Sequence, residues 1–297
     1  MLSHTWALTM SRMRLAMRNR AFLFFSLIMP ISFLFIYAGI FGRGNPQAMP
    51  YLLAEVLALT VMGSFWGLSV QLVTFREQGI LRRFRVTPVG ASAMLASSLF
   101  SNYFLTLPTI VIEFFLARWV FHMPGLGNLG GVFVLVTAGT VSFASLGLIV
   151  ASVTNTMQET QIINQIIWFS FLFLSGATVP LPILPRFAQN FALYLPATYL
   201  VSGLQRSMID NVGPASLGAE MISMVGCALI AFLISTQLFR WDPEAKAPRR
   251  AKLWAASAIV PFLLLGAWET THGRLRSHAM TDFQSISQPS SPEPPAR

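Results

Sequence analysis

AFLFFSLIMPISFLFIYAGIF, residues 21–41, carries no charged side chain and reaches the ~20 residues that a helix needs to cross the hydrocarbon core of a bilayer. Arg12, Arg14, Arg18 and Arg20 precede it, as basic residues precede a secretory signal. A signal's apolar core is usually about 7 to 15 residues, however, and no small-x-small cleavage pattern follows, so the stretch reads as an uncleaved span. Five further apolar stretches repeat the pattern at 51–74, 94–121, 129–153, 162–179 and 217–239. A seventh, 253–268, is shorter and has Pro261 near its middle; crossing, dipping into one leaflet and lying on the surface all fit it. From 269 to 297 the chain turns polar and ends in SQPSSPEPPAR, a composition expected to stay disordered.

The composition fits this reading. Hydrophobic residues make up 54% of the 297, charged ones only 10%, and the mean hydropathy is +0.61; an ordinary soluble domain carries about 25% charge, so a soluble enzyme is excluded. The 20 Lys+Arg against 11 Asp+Glu, net +9, would suggest nucleic acid in a soluble protein. In a membrane chain they report orientation instead, and no nucleic-acid partner is expected. If six spans alternate, thirteen basic residues (at 12–20, 76–85 and 240–252) fall on the side of the N-terminus, against Arg43, Arg118, Arg186 and Arg206 on the other. The N-terminus is therefore expected in the cytoplasm. Trp6, Met10, Met13 and Met17 recur at helical spacing with Arg14 and Arg18 on another face, the pattern of a surface helix over 1–20, although Leu8 and Leu15 point away from the stripe. Cys227 is the one cysteine, so no intramolecular disulfide can form.

Several segments carry more than hydropathy. Residues 75–88 read FREQGILRRFRVTP; as a helix they group Ile80, Leu81 and Phe84 on one side, ringed by arginines, and Pro88 ends it. Docking on a partner and anchoring of the two flanking spans both fit. Thr156 and Glu159 form a capping box, after which Asn164 and Gln165 take amides into the membrane, either as glue between helices or as a polar lining. After Ser175 and Gly176 come Pro180, Pro182 and Pro185, which cannot continue a helix; short helices re-entering or lying on the outer leaflet are expected over 180–206, packed over a pathway. Glu55 and Glu113 lie inside spans, where an acid marks a proton or cation site or a hydrogen-bonded structural group, with Arg118 a candidate partner for Glu113. Gly63 and Gly67 are spaced for close helix approach. His4, His122, His272 and His278 are scattered, and neither Lys246 nor Lys252 lies in a Gly-x-x-x-x-Gly-Lys-Ser/Thr loop. No catalytic, metal or cofactor site is expected in this chain.

Together these segments resemble the membrane permease subunits of ABC type-2 exporters, over roughly residues 2–241. The likeness rests on the arginine-containing N-terminus feeding the first span, on the 76–88 segment, and on LSGATVPL at 174–181 with LPATY at 195–199. It implies an all-α polytopic membrane protein with a six-helix permease bundle at 21–241 and short outer or re-entrant helices between spans five and six; the basic linker at 242–252 and the seventh segment depart from the family pattern, whose core usually stops at the sixth span. It also implies a dimer, with a second copy or a related chain, each unit docked on a cytoplasmic ABC ATPase subunit that holds the ATP. By the same resemblance Glu77, Gly79, Leu81, Arg82, Arg83, Thr87 and Pro88, within a coupling segment at 75–90, become ATPase-contact positions. Glu113, Asn164, Gln165, Ser175, Gly176 and Pro180 are candidates for the transport path or for helix packing. The implied function is ATP-driven export of a hydrophobic or amphipathic solute, a drug, lipid or lipid-linked glycan, from the inner or plasma membrane. Two other readings stay open: a proton-coupled secondary transporter using Glu113, and a membrane scaffold that recruits a cytoplasmic partner.

Overall fold

A computed structural model describes residues 24–42, 45–84, 90–241 and 260–272, together with Trp6, Thr9, Met10, Ser11, Met13, Arg14, Met17, Arg18 and Ser257. The linker at 242–252, the tail beyond 272, the start of the first span at 21–23, and Thr87 and Pro88 lie outside the described residues. The described chain is helical, without a strand. The helices are α1 (Met29–Tyr37, with π-helical turns at Phe24–Ile28 and Ala38–Gly42), α2 (Met49–Glu77), α3 (Ile80–Phe84), α4 (Ala91–Trp119), α5 (Leu129–Val153), α6 (Met157–Leu174), α7 (Arg186–Ala192), α8 (Pro196–Met208), α9 (Gly218–Leu238) and α10 (Val260–His272).

Four of them, at Pro46–Glu77, Ala91–Trp119, Leu129–Val153 and Gly218–Leu238, are long and apolar enough to cross a membrane. The first expected span appears as a shorter apolar helix, Ser26–Gly42. The fifth, α6, has 18 residues, but Gln158, Glu159, Gln161, Asn164 and Gln165 make its first half polar. Helices α2 and α5 form the centre, and α4 and α9 flank them with one face bare. On those faces Phe100, Val111, Phe115 and Trp119 of α4 and Ile222, Leu229 and Leu233 of α9 stand exposed; so much bare apolar surface needs lipid to cover it.

The centre is close because of glycines. A Cβ on Gly147 of α5 would lie 2.3 Å from the Phe65 carbonyl oxygen, and one on Gly139 would lie 2.9 Å from the Val61 side chain, so α5 meets the backbone of α2 at Gly147 and its side chains at Gly139. Among the described residues the expected approach at Gly63 and Gly67 does not occur: nothing lies within 4 Å of a Cβ at Gly63, and Asn102, at 3.8 Å, is what comes near Gly67. The small residues that matter belong to the fourth span. Aromatic edges then lock α6 to this centre, Phe171 against Phe65 and Phe143, and Trp168 against Trp66.

Two boundaries and the packing of the N-terminal stripe differ from expectation. Helix α6 stops at Leu174 rather than running on to 179, because Gly176 takes φ +92° and Ser175 Oγ accepts the Ala177 N–H at 3.2 Å; the turn precedes the prolines. At the other end of the chain, helix α10 continues through His272 with Glu269 fully buried, so the first polar residues after 268 are helical where disorder was expected. Gly266 of α10 lies against the ring of Tyr194, 2.3 Å from where a Cβ would stand. In the N-terminal stripe, finally, Trp6 packs edge-on against Phe104 of α4 while remaining half exposed, and among its described residues the buried one is Thr9.

Candidate functional site

Two of the basic connections expected on one side meet at one end of the bundle, where Arg76 and Arg240 both donate to Thr154 O. Helix α2 is continuous for 29 residues, about 43 Å at 1.5 Å per residue, which carries its last turn past the ~30 Å hydrocarbon core. There Gln78 and Gly79 make a turn in which the Gln78 N–H donates to Thr74 O and the Gly79 N–H to Arg76 O. Gly79 has φ +68°, a conformation that costs other residues about 1–2 kcal/mol. The turn reverses the chain into α3. Leu81 of α3 is buried with Leu68, Leu72, Met94 and Leu95, Ile80 and Phe84 are half-buried, and Arg82 and Arg83 are exposed. The expected sidedness is therefore present, with Leu81 turned inward to seat the element.

Beside this turn the C-terminus of α5 ends in carbonyls with no helical partner, and two arginines satisfy them. Arg76, itself buried, donates from Nη1 to Ala151 O and from Nη2 to Thr154 O, both at 2.8 Å. Arg240 donates from Nη2 to Ser152 O at 3.0 Å and Thr154 O at 2.6 Å, and from Nη1 to Asn155 Oδ1 at 3.0 Å. Cations suit a helix C-terminus. Burial pushes the Arg240 guanidinium down from its ordinary pKa, and the nearby Glu159 carboxylate pushes it back up. The next residues start α6 with the expected capping box: Thr156 Oγ1 accepts the Glu159 N–H at 3.1 Å, and Glu159 Oε2 accepts from Asn155 N at 2.8 Å, one residue before the usual recipient. Glu77 reaches across from α2, its Oε1 accepting the Met157 N–H at 2.7 Å.

Farther into the bundle Asn164 Nδ2 donates to Ser69 Oγ at 2.7 Å, while Gln165 points outward. Gln161, Ile162, Gln165, Ile166, Phe169 and Phe173 form one exposed stripe of α6. Glu113 is fully buried and accepts from Thr60 Oγ1 at 2.5 Å. Its expected partner Arg118 turns instead to the carbonyls of Met123 and Pro124, closing the connection after α4.

At the opposite end, Ser175, Gly176 and half-buried Pro180 lead into α7 and α8. Helix α8 is buried along its whole length, wedged among α2, α5 and α9 rather than lying on a surface. Between α2 and these outer elements is a cavity of about 10 Å³, lined by Tyr51, Gly176, Leu181, Pro182, Val201, Ser202 and Gln205, room for about one water. Arg206, counted above as an outer topology residue, is buried and paired with Glu220 at 2.6 Å. Neither Arg240 nor Arg206 was singled out by sequence: both look like ordinary flanking arginines, and their partners lie 85 and 14 residues away.

Residues 3–209 match the family model described as ABC-2 type transporter. A daunorubicin resistance ABC transporter permease protein, DrrB1, of Streptomyces coeruleorubidus is 25% identical over 247 residues, 80% of this chain and 85% of that protein. A putative transport permease, YvfS, of Bacillus subtilis is 22% identical over 202 residues, 66% and 81%. ABC transporter G family member 20 of Dictyostelium discoideum is 25% identical over 196 residues, 66% of this chain, which spans only 27% of that longer relative.

Proposed function

This chain belongs to the ABC-2 type transporter family, as a multi-pass membrane permease of an ABC transporter, and from that premise we propose that it forms the transmembrane path for ATP-driven export. The observation that carries the proposal is the exposed pair Arg82 and Arg83 on α3, seated by buried Leu81 next to the junction of α2, α5 and α6. A cytoplasmic ABC ATPase subunit holding the ATP docks there, on the coupling segment at 75–90. The N-terminus is then cytoplasmic and the membrane is the inner or plasma membrane.

The exposed stripe of α6 supports a dimer. Gln161 and Gln165 would be costly against lipid, so a second permease, or a water-containing path between two, covers them. The cargo is hydrophobic or amphipathic, a drug, lipid or lipid-linked glycan, in keeping with apolar spans of few fixed charges and with the drug resistance in a relative's name. Glu113, sealed between α2 and α4 and held by Thr60, favours a packing role over a proton pathway.

Affinity purification of the tagged permease from its native membrane tests the docking. An ABC ATPase subunit is expected to co-purify, and Arg83→Glu to release most of it without lowering the amount of permease in the membrane. Retention of that subunit by Arg83→Glu, or its absence from the wild-type preparation, would contradict the reading.

A further inference from the structure

Helix α6 touches α2 at three levels. Phe171 and Trp168 pack on Phe65 and Trp66, Asn164 bonds Ser69 at 2.7 Å in the middle, and Glu77 accepts the Met157 N–H at 2.7 Å at the basic end. The third contact differs in kind. Glu77 is the last residue of α2, one step before the Gln78–Gly79 turn that leads into α3, and Met157 is the first residue of α6. A carboxylate at the positive end of a helix binds the whole helix rather than one side chain. Of the other groups at this junction, Arg76 and Arg240 hold the α5 terminus, Arg76 also lying within electrostatic reach of Glu77, and Glu159 holds Asn155.

We propose that Glu77 is a positioning residue that fastens the coupling turn to the N-terminus of α6, so that a push on α3 displaces the helix carrying the exposed glutamine stripe, and that Glu77 is not a contact with the ATPase. The inference rests on the coupling reading above. It follows from geometry: the carboxylate is committed to a backbone N–H of the same chain, whereas Arg83, four residues past the turn, is exposed. Because Glu77 is itself exposed, the contact lies outside the packed core, and its loss should be felt in transmission more than in folding.

The bond can be deleted from either side. Met157 is at the first helical position after Thr156, whose φ −125° and ψ 159° are what a residue preceding proline requires, and proline is well tolerated at that position. Met157→Pro thus removes the N–H, whereas Met157→Ala keeps it and removes only the side chain. The permease–ATPase complex is placed in lipid nanodiscs with Cys227→Ser, and a bimane label is attached at Gln165→Cys. Two quantities are read: ATPase retained on the tagged permease, and the change in bimane emission on adding Mg-ATP and vanadate. Met157→Pro and Glu77→Ala are expected to retain the ATPase and to shrink the emission change by about threefold or more. Met157→Ala and Glu77→Gln, which keep a donor and an acceptor, should preserve most of it. A full emission change in Met157→Pro overturns the joint, and so does loss of the ATPase in Glu77→Ala, which would make Glu77 a docking contact. Failure of the coupling reading itself shows differently, as no retained ATPase or no ATP-driven change in the labelled background before either bond is deleted.

Discussion

Gly147 and Gly63 are both glycines in apolar helices, yet their surroundings predict opposite outcomes. A Cβ on Gly147 meets the Phe65 carbonyl oxygen at 2.3 Å, a backbone atom that cannot swing aside, so Gly147→Ala should cost about 1–3 kcal/mol through forced separation of α2 and α5. Gly63→Ala meets nothing within 4 Å and should gain up to about 1 kcal/mol of helix propensity. Thermal unfolding in one detergent should place the first below wild type and the second at or above it. The buried pair Arg206–Glu220, at 2.6 Å, gives a second test. Replacing either partner alone by alanine strands a buried charge and should cost about 3–5 kcal/mol, whereas Arg206→Met with Glu220→Leu should recover most of the loss; the yield of folded monodisperse protein measures both. Neither site was legible in the sequence. A glycine spacing shows which helix could approach another, but Gly147 and Gly63 differ only in what the fold places opposite them. Arg206 was read as a topology marker because local sequence does not reveal that Glu220 turns back toward it.

At the scale of the element, the helices follow closely from the chain. The apolar run at 129–153 is a helix over that whole range, and the Thr156–Glu159 pair starts α6 where a capping box should. The end of α6 was less legible, since Ser175 and Gly176 break the helix before the three prolines that advertise a break. An αL glycine in an apolar run looks like any other small residue until the turn around it is seen. Helix α6 is also the least enclosed of the long helices, with only Thr160, Asn164 and Phe171 buried. If its bare stripe faces a second permease, cysteine at Gln165 in a Cys227→Ser background should form an oxidant-dependent disulfide between two copies, as the short Cα separation needed for such a bond allows. Cysteine at exposed Val111, on the lipid face of α4, should remain monomeric. The reverse pattern on a non-reducing gel would move the interface to α4.

Over the whole molecule, the net +9 resolves into two kinds of arginine. Arg82 and Arg83 stay exposed, while Arg76, Arg206 and Arg240 are consumed inside the fold, closing helix ends or a buried acid. Counting basic residues gives the orientation expected of the chain, but only packing separates the buried arginines from the exposed ones. That orientation predicts that a membrane-impermeant maleimide labels cysteine at Gln78 only from the cytoplasmic side and cysteine at Asn211 only from the opposite side. The central claim, that this permease moves its cargo by borrowing the ATPase of another subunit, is tested most directly in inside-out proteoliposomes. Uptake of a fluorescent anthracycline and of a fluorescent phospholipid is followed with and without the ABC ATPase subunit that co-purifies with the permease. Uptake of at least one probe is expected only when ATPase and Mg-ATP are both present, unaffected by a pH gradient and by Glu113→Gln; equal uptake by the permease alone, driven by a pH gradient and lost in Glu113→Gln, would contradict the account.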